Sequence, residues 1–166
     1  MQKRIFRGAL LLTLATALVI GLLSTAVYYH WSGEQLEGQL WQELDMLSTL
    51  LKQAADQDAE EAALKALHMP NRLTWIAPDG TVRYDNQSNA ADMENHLGRE
   101  EIAQASETGT GFSKRFSQTL LEEQLYCAQK LWDGSYLRLS ATQSSLAGSL
   151  WRMGWALAAG IAVVLI

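Results

Sequence analysis

RLTWIAPDGTVRYDN, running from Arg72 to Asn86, is the stretch whose reading decides the fold. Leu73 and Trp75 alternate with Thr74 and Ile76, the two-residue period of a strand with something packed on each face. Pro78-Asp79-Gly80 is a turn: Pro presets the first corner and Gly accepts a positive φ. The run Thr81 to Asp85 then returns as a second strand, so Arg72–Ala77 and Thr81–Asp85 are read as a hairpin. Asp85 follows that strand where its carboxylate is placed to cap backbone N–H groups of the next turn.

Downstream, the same reading gives three more strands: Gly111 to Thr119, Gln124 to Leu131 and Ser135 to Thr142, the last two joined by an Asp133-Gly134 turn. Between hairpin and strands, Asn86 to Asn95 reads as a loop with a helical turn at Asp92-Met93-Glu94, and Gly98 to Thr108 as a helix stopped by Gly109. Upstream, Leu36, Leu40, Leu44, Leu47 and Leu51 fall on one helical face. That stripe fits two uses equally, a dimer helix pairing between subunits or an amphipathic helix lying on its own sheet. Asp56 is placed to cap a second short helix, which Pro70 bounds. The expected fold is therefore α+β, a five-stranded antiparallel sheet with a long N-terminal helix over one face and the central segment capping the other.

Further out, charge disappears. No Lys, Arg, Asp or Glu occurs from Gly8 to Gly33, or from Met153 to Ile166. A membrane-crossing helix needs ~20 mainly apolar residues, which the run Gly8 to Tyr29 supplies and the second run does not complete. The apolar region is too long for a signal peptide, so it is read as an uncleaved anchor. Lys3, Arg4 and Arg7 precede it and place the N-terminus in the cytoplasm. Tyr28, Tyr29, His30 and Trp31 match an aromatic interface belt, with Trp151 and Trp155 as its counterpart.

All 18 acidic residues lie between Glu34 and Arg138, against nine basic ones in the same stretch. So acidic a segment argues against nucleic acid as a partner. The single cysteine, Cys127, has no partner for an intramolecular disulfide and reads as a core residue. His30, His68 and His96 lack the spacing of metal ligands, and no nucleophile-base pair or phosphate loop is present, so no metal and no catalytic residue is expected.

The segments Arg72 to Asn86, Met93-Glu94-Asn95-His96-Leu97, Arg99-Glu100-Glu101-Ile102 and Gly109-Thr110-Gly111, in that order, resemble the extracytoplasmic PAS-like (single Cache-type) sensor domain of bacterial sensor histidine kinases, particularly the phosphate-regulon type. The resemblance implies a multi-pass cell-membrane protein, a homodimer whose outside domain passes a stimulus to a cytoplasmic kinase and from there to a response regulator. The kinase part, with its ATP, is absent from this chain, which carries no cofactor of its own. The implied organisation is a cytoplasmic N-terminus (1–7), a first transmembrane helix (8–30), an extracytoplasmic sensor domain (31–150) and a second, truncated transmembrane helix (151–166). Within the sensor domain, 31–69 are helical, 70–142 form the sheet and caps, and 143–150 an exit helix. The alternatives are the sensor region of a non-kinase receptor, such as a chemotaxis transducer or a cyclic-dinucleotide enzyme, and a stand-alone anchored binding protein.

A ligand pocket is expected between the sheet and the Asn86 to Gly109 segment. Its candidate residues are Trp75, Tyr84, His96, Arg99, Arg115, Tyr126 and Arg138. Aromatic walls with one or two cations suit a small carboxylate or amino acid. The competing reading makes Trp75 and Tyr126 core residues and pairs the arginines with neighbouring carboxylates. A membrane protein is the other kind of signal considered.

Overall fold

The computed structural model describes residues 2–54, 56–117, 122–144 and 154–155. The architecture is α+β. Helix α1 (Gln2–Lys52) and helix α2 (Gln57–Ala66) precede strands β1 (Arg72–Ile76) and β2 (Val82–Asp85); a 3-10 turn (Ala90–Asp92) and helix α3 (Glu100–Thr108) lead into β3 (Thr110–Ser117), β4 (Glu122–Lys130) and β5 (Tyr136–Ser144). Two compact units divide the chain, one including Met1–Glu34 and the other Gln35–Gln143. The boundary lies four residues beyond the expected start at Trp31.

In the second unit the five strands form one antiparallel sheet in the order β2-β1-β5-β4-β3. Alternation along β1 assigns the faces: Leu73 pairs with Leu139 and Trp75 with Leu137, while Thr74 pairs with Arg138 and Ile76 with Tyr136. The first set joins Leu125, Cys127 and the α1 leucines in one core. Leu40, Leu44, Leu47 and Leu51 are all 0% exposed there, and each is worth about 1.5–3 kcal/mol of burial. The leucine stripe is thus used by the chain's own sheet, with Leu36 packed at its margin, and is not available as a seam between subunits. α2 adds Leu64 alone to this core, and its start is fixed by Asp56, whose carboxylate accepts from Ala59 N–H at 2.9 Å.

The first hairpin closes at Gly80, where φ is 88° and the N–H donates to Ala77 O at 2.9 Å. Ala77 N–H donates in turn to Thr81 O, which places Thr81 in the turn and starts β2 at Val82. A side chain at Gly80 would also meet Asn95 Oδ1 at 2.2 Å, because the following segment folds over the tip: Asn95 Nδ2 donates to Asp79 O at 2.8 Å and His96 N–H to Gly80 O at 2.9 Å.

Other expectations shift by a few residues. The helical turn falls at Ala90–Asp92, where the Asn89 side chain caps it, rather than at Asp92-Met93-Glu94. Helix α3 begins at Glu100 rather than Gly98, because Arg99 N–H is taken by His96 O in a preceding turn. Gln143 and Ser144 continue β5 instead of opening the exit helix. Residues 145–150 of that helix, all of the second apolar run except 154–155, and the tip of the β3-β4 hairpin at 118–121 lie outside the described residues. Among the described residues no helix is long and apolar enough to cross a membrane; the side chains of Leu10, Leu11 and Leu14 in the first run are outside that set.

Replacing Leu47 by Ala should cost about 2–5 kcal/mol, against less than ~1 kcal/mol for Met46, its 56% exposed neighbour. Denaturant unfolding of the two variants, followed by tryptophan fluorescence, measures the difference. Equal losses would mean that the stripe does not pack on the sheet.

Candidate functional site

The second face of the sheet is divided. Ile76, Val82, Ala128 and Tyr136 at one end pack against Ile102 and Ala105 of α3. At the other end, strand alternation brings up Arg72 and Thr74 from β1, Arg138 and Ser140 from β5, Tyr126 from β4, and Ser113 and Arg115 from β3. The residue that organises them comes from the helix. Glu101 is 0% exposed and accepts from Ser113 Oγ at 2.8 Å, from Arg115 Nη2 and from Arg138 Nη1 at 3.4 Å.

Glu101 reaches these partners because α3 lies almost on the backbone of β3. A Cβ at Gly111 would sit 1.8 Å from the carbonyl oxygen of Glu101, so only glycine allows the approach. Gln104 secures it, its Oε1 accepting from Phe112 N–H at 2.9 Å. Burial alone would raise the Glu101 carboxyl; a backbone N–H, Ser113, Arg115 and Arg138 outweigh it and hold the group below the ordinary carboxylate range.

Asp85 is the second buried anion. Its Oδ1 accepts from Gln87 and Ser88 N–H, both at 2.9 Å, and its Oδ2 from Thr74 Oγ1 at 2.8 Å and Arg72 Nε at 3.0 Å. It therefore caps the turn as its position in sequence implied. Although burial pushes it up, these bonds keep it ionised below the usual range. Thr74 accepts from Arg138 Nη2 at 3.2 Å, which links the two anions into one chain: Arg72, Asp85, Thr74, Arg138, Glu101, Arg115. The Tyr126 ring lies 4.4 Å from the Arg115 guanidinium and 5.5 Å from that of Arg138.

Of the candidate pocket residues, the structure brings Arg115, Tyr126 and Arg138 together. His96 is buried beside them and Arg99 is half-buried at the α3 N-cap. Trp75 and Tyr84 belong to the opposite face, where both join the α1 core and Trp75 Nε1 donates to Ser135 Oγ at 3.1 Å. Cys127 shares that core, its thiol pushed up to about 12 mainly by burial. Sequence reasoning missed Glu101, Thr74, Ser113 and Arg72. The visible trace was Ser113 and Arg115 alternating beyond Gly111, a polar inward face that required a buried counterion.

Where β1 begins, a cavity of about 370 Å³ opens, lined by Leu36, Pro70, Arg72 and Tyr126 with side-chain amides and hydroxyls between them. Among the described residues no group of three or more His, Cys, Asp or Glu side chains is placed to hold a metal ion. No family model, curated protein or solved structure matches the chain.

His96 is 4% exposed, and among the described residues its Nδ1 and the Nε of Arg138 have no hydrogen-bond partner. Burial first, then the charges of Arg138 and Arg99, lower its pKa to about 4, Glu101 opposing them. Because the unfolded imidazole takes its proton near pH ~6.5, stability is full above that value and falls as the pH drops toward 4, by about 1.4 kcal/mol per unit. Unfolding curves between pH 6.5 and 4.5 should therefore be steeper in the native chain than in His96→Gln; parallel profiles would refute the assignment. Separately, Glu101→Ala should cost about 3–5 kcal/mol by leaving Arg138 buried without its anion, and adding Arg138→Met should recover part of the loss in the same denaturation assay.

Proposed function

We propose that this chain is the signal-sensing and membrane-anchoring region of a transmembrane receptor, a sensor histidine kinase with a PAS-like outside domain. The observation that carries this reading is the surface of α1. Ile5, Phe6, Leu12, Leu18, Val19, Ile20, Leu22, Leu23, Val27, Tyr28 and Trp31 are between 48% and 73% exposed. Apolar side chains in such number on one helix exceed what a water-facing surface tolerates, and a bilayer is the solvent that matches them. Lys3, Arg4 and Arg7 before the run orient it with the N-terminus inside, and Tyr28 and Trp31 mark the outer interface.

The Gln35–Gln143 unit supplies the sensing half. A five-stranded antiparallel sheet with a long helix on one face and a short-helix cap on the other supports the PAS-like reading at the level of architecture. Signalling needs an element with two arrangements that a stimulus binds unequally. The cap from Asn86 to Gly109 fits that role, since it is held to the sheet by the separable contacts of Glu101 and the Asn95-His96 latch. The homodimer of this reading uses α1 surface not committed to the sheet, where Met46 and Leu50 are 56% and 38% exposed. The kinase, its ATP and the response regulator belong to sequence outside this chain.

Glu107, exposed on α3, offers a topology probe against the silent, buried Cys127. In intact cells Glu107→Cys should react with a membrane-impermeant maleimide, and the chain should stay with the membrane through alkaline extraction. Labelling only after lysis, or release at high pH, would overturn the anchored-sensor reading. Coding sequence beyond Ile166 should continue into a helical hairpin carrying a phospho-accepting histidine and an ATP-binding domain. A methyl-accepting coiled coil or a nucleotide-cyclase domain there would overturn the kinase output.

A further inference from the structure

Between the end of β2 and the start of α3 the chain runs as a strap from Asn86 to Arg99, and along it one side chain alone is buried, that of His96. The two ends of the strap are fixed separately. Asp85 accepts from Gln87 and Ser88 N–H at one end, and at the other α3 is docked on β3 through Gly111. Between them the strap is tied to the first hairpin by His96 N–H, which donates to Gly80 O at 2.9 Å, and by Asn95 Nδ2, which donates to Asp79 O at 2.8 Å. Ala90 and Met93 add partly buried apolar contact with the α3-side core. Contacts so few can part while the leucine core under α1 stays closed.

A titratable ring is a costly choice for that single buried place. Its Nδ1 has no partner among the described residues, so closure strands a polar atom that a leucine would not carry. The charged groups that act on it are Arg138 on β5, Arg72 on β1, and Arg99 and Glu101 at the start of α3. Glu101 already accepts from Ser113, Arg115 and Arg138, and Asp85 on β2 from Arg72, Thr74 and two backbone N–H groups, so neither carboxylate bonds the imidazole. The strap's own carboxylates, Asp92 and Glu94, are exposed. Arg72 and Arg115 reach solvent, which screens them, whereas Arg138 is 5% exposed and stands foremost among the charges opposing a second cation beside it. The closed strap therefore accommodates the neutral ring and rejects the imidazolium.

We propose that His96 makes the Asn86 to Arg99 strap an acid-released latch: with the imidazole neutral the strap lies closed on the sheet, and a proton on His96 swings it out and breaks the bond to Gly80. In the open strap the imidazole takes its proton near pH ~6.5 and under the closed strap only near about 4, so each pH unit between the two favours opening about tenfold, and the whole interval roughly 300-fold. Asp85 and Glu101, both held below the ordinary carboxylate range, stay ionised from pH ~6.5 to ~5 and take up no proton there. The latch gives the proposed sensor its stimulus class, protons outside the membrane, and in that sense rests on the sensor reading; the latch itself needs neither a kinase nor a particular topology.

Amide hydrogen exchange of the full chain in detergent, read by mass spectrometry as protection relative to the free-peptide rate at each pH, tests this. The peptide holding His96 and Arg99 is followed beside one holding Leu40 to Leu51. At about pH 6.5 the strap should be at least tenfold less protected than α1, and its protection should fall a further tenfold or more by about pH 5. In His96→Gln and in His96→Leu strap protection should stay level over the same range. Either variant alone decides the point, so the failure of one to fold leaves the other to answer. Strap protection equal to that of α1 would mean that nothing opens short of global unfolding, and would overturn the proposal. So would strap protection unmoved by pH in the native chain, or the same fall in a folded His96 variant. Level protection with external labelling at Glu107→Cys intact removes the acid stimulus and leaves the sensor, while a pH-released strap without external labelling does the reverse.

Discussion

Everything polar on the second face of the sheet depends on one close approach, that of helix α3 to strand β3 at Gly111. With no Cβ in the way, the helix backbone sinks until the Glu101 carboxylate is sealed from water, and an ionised carboxylate so placed is tolerated only with partners at hand. Ser113 and Arg115, two and four residues beyond Gly111 on the same strand face, are the nearest of these, and Arg138 on β5 is the next. A single missing side chain thereby fixes the position of a helix, the ionisation of a carboxylate and the orientation of two arginines. Arg138 then requires Thr74, Thr74 requires Asp85, and Asp85 holds the turn that begins the cap.

The two faces of the sheet carry different parts of the free energy. On the α1 side, leucines from the helix meet Leu73, Trp75, Leu137 and Leu139 in an apolar core, which is where stability comes from. The α3 side buries two carboxylates and a guanidinium whose desolvation offsets most of what their mutual attraction returns. Such a division leaves the cap, rather than the long helix, as the part of the unit with the smaller margin against opening. His96 sharpens this. Its backbone N–H latches the cap to the Gly80 turn, while burial first, and then the charges of Arg138 and Arg99, keep the ring neutral.

The hairpin was legible because its signals are local: alternation in Arg72–Ala77, a Pro-Asp-Gly turn, and an Asx cap at Asp85. Asp56 and Gly109 were legible as helix boundaries for the same reason. The leucine stripe was legible as a stripe, yet its partner was not, since a helical face looks the same whether a sheet or another helix covers it. Trp75 and Tyr84 illustrate the opposite difficulty. The parity of Trp75 along its strand was clear, but aromatic character alone does not tell which face is core and which is site. Glu101 is an acidic residue in a first helical turn, a place where the helix dipole ordinarily favours it on the surface. Only the docking of α3, a contact between elements, turns it into the centre of a network.

An apolar set of side chains in the place of Arg138, Glu101 and Arg115 would fill the same volume at similar or better stability, by the general balance between desolvation and attraction for buried ion pairs. Packing alone therefore does not account for charges at this end of the face when Ile76, Ile102 and Tyr136 serve at the other end. The charged end is the one that adjoins the cavity through Arg72 and Tyr126, and the apolar end does not. The polar network and the cavity thus belong to one arrangement: Asp85 fixes Arg72, the guanidiniums of Arg115 and Arg138 lie against the Tyr126 ring, and both rim residues are held where an apolar set would leave them loose.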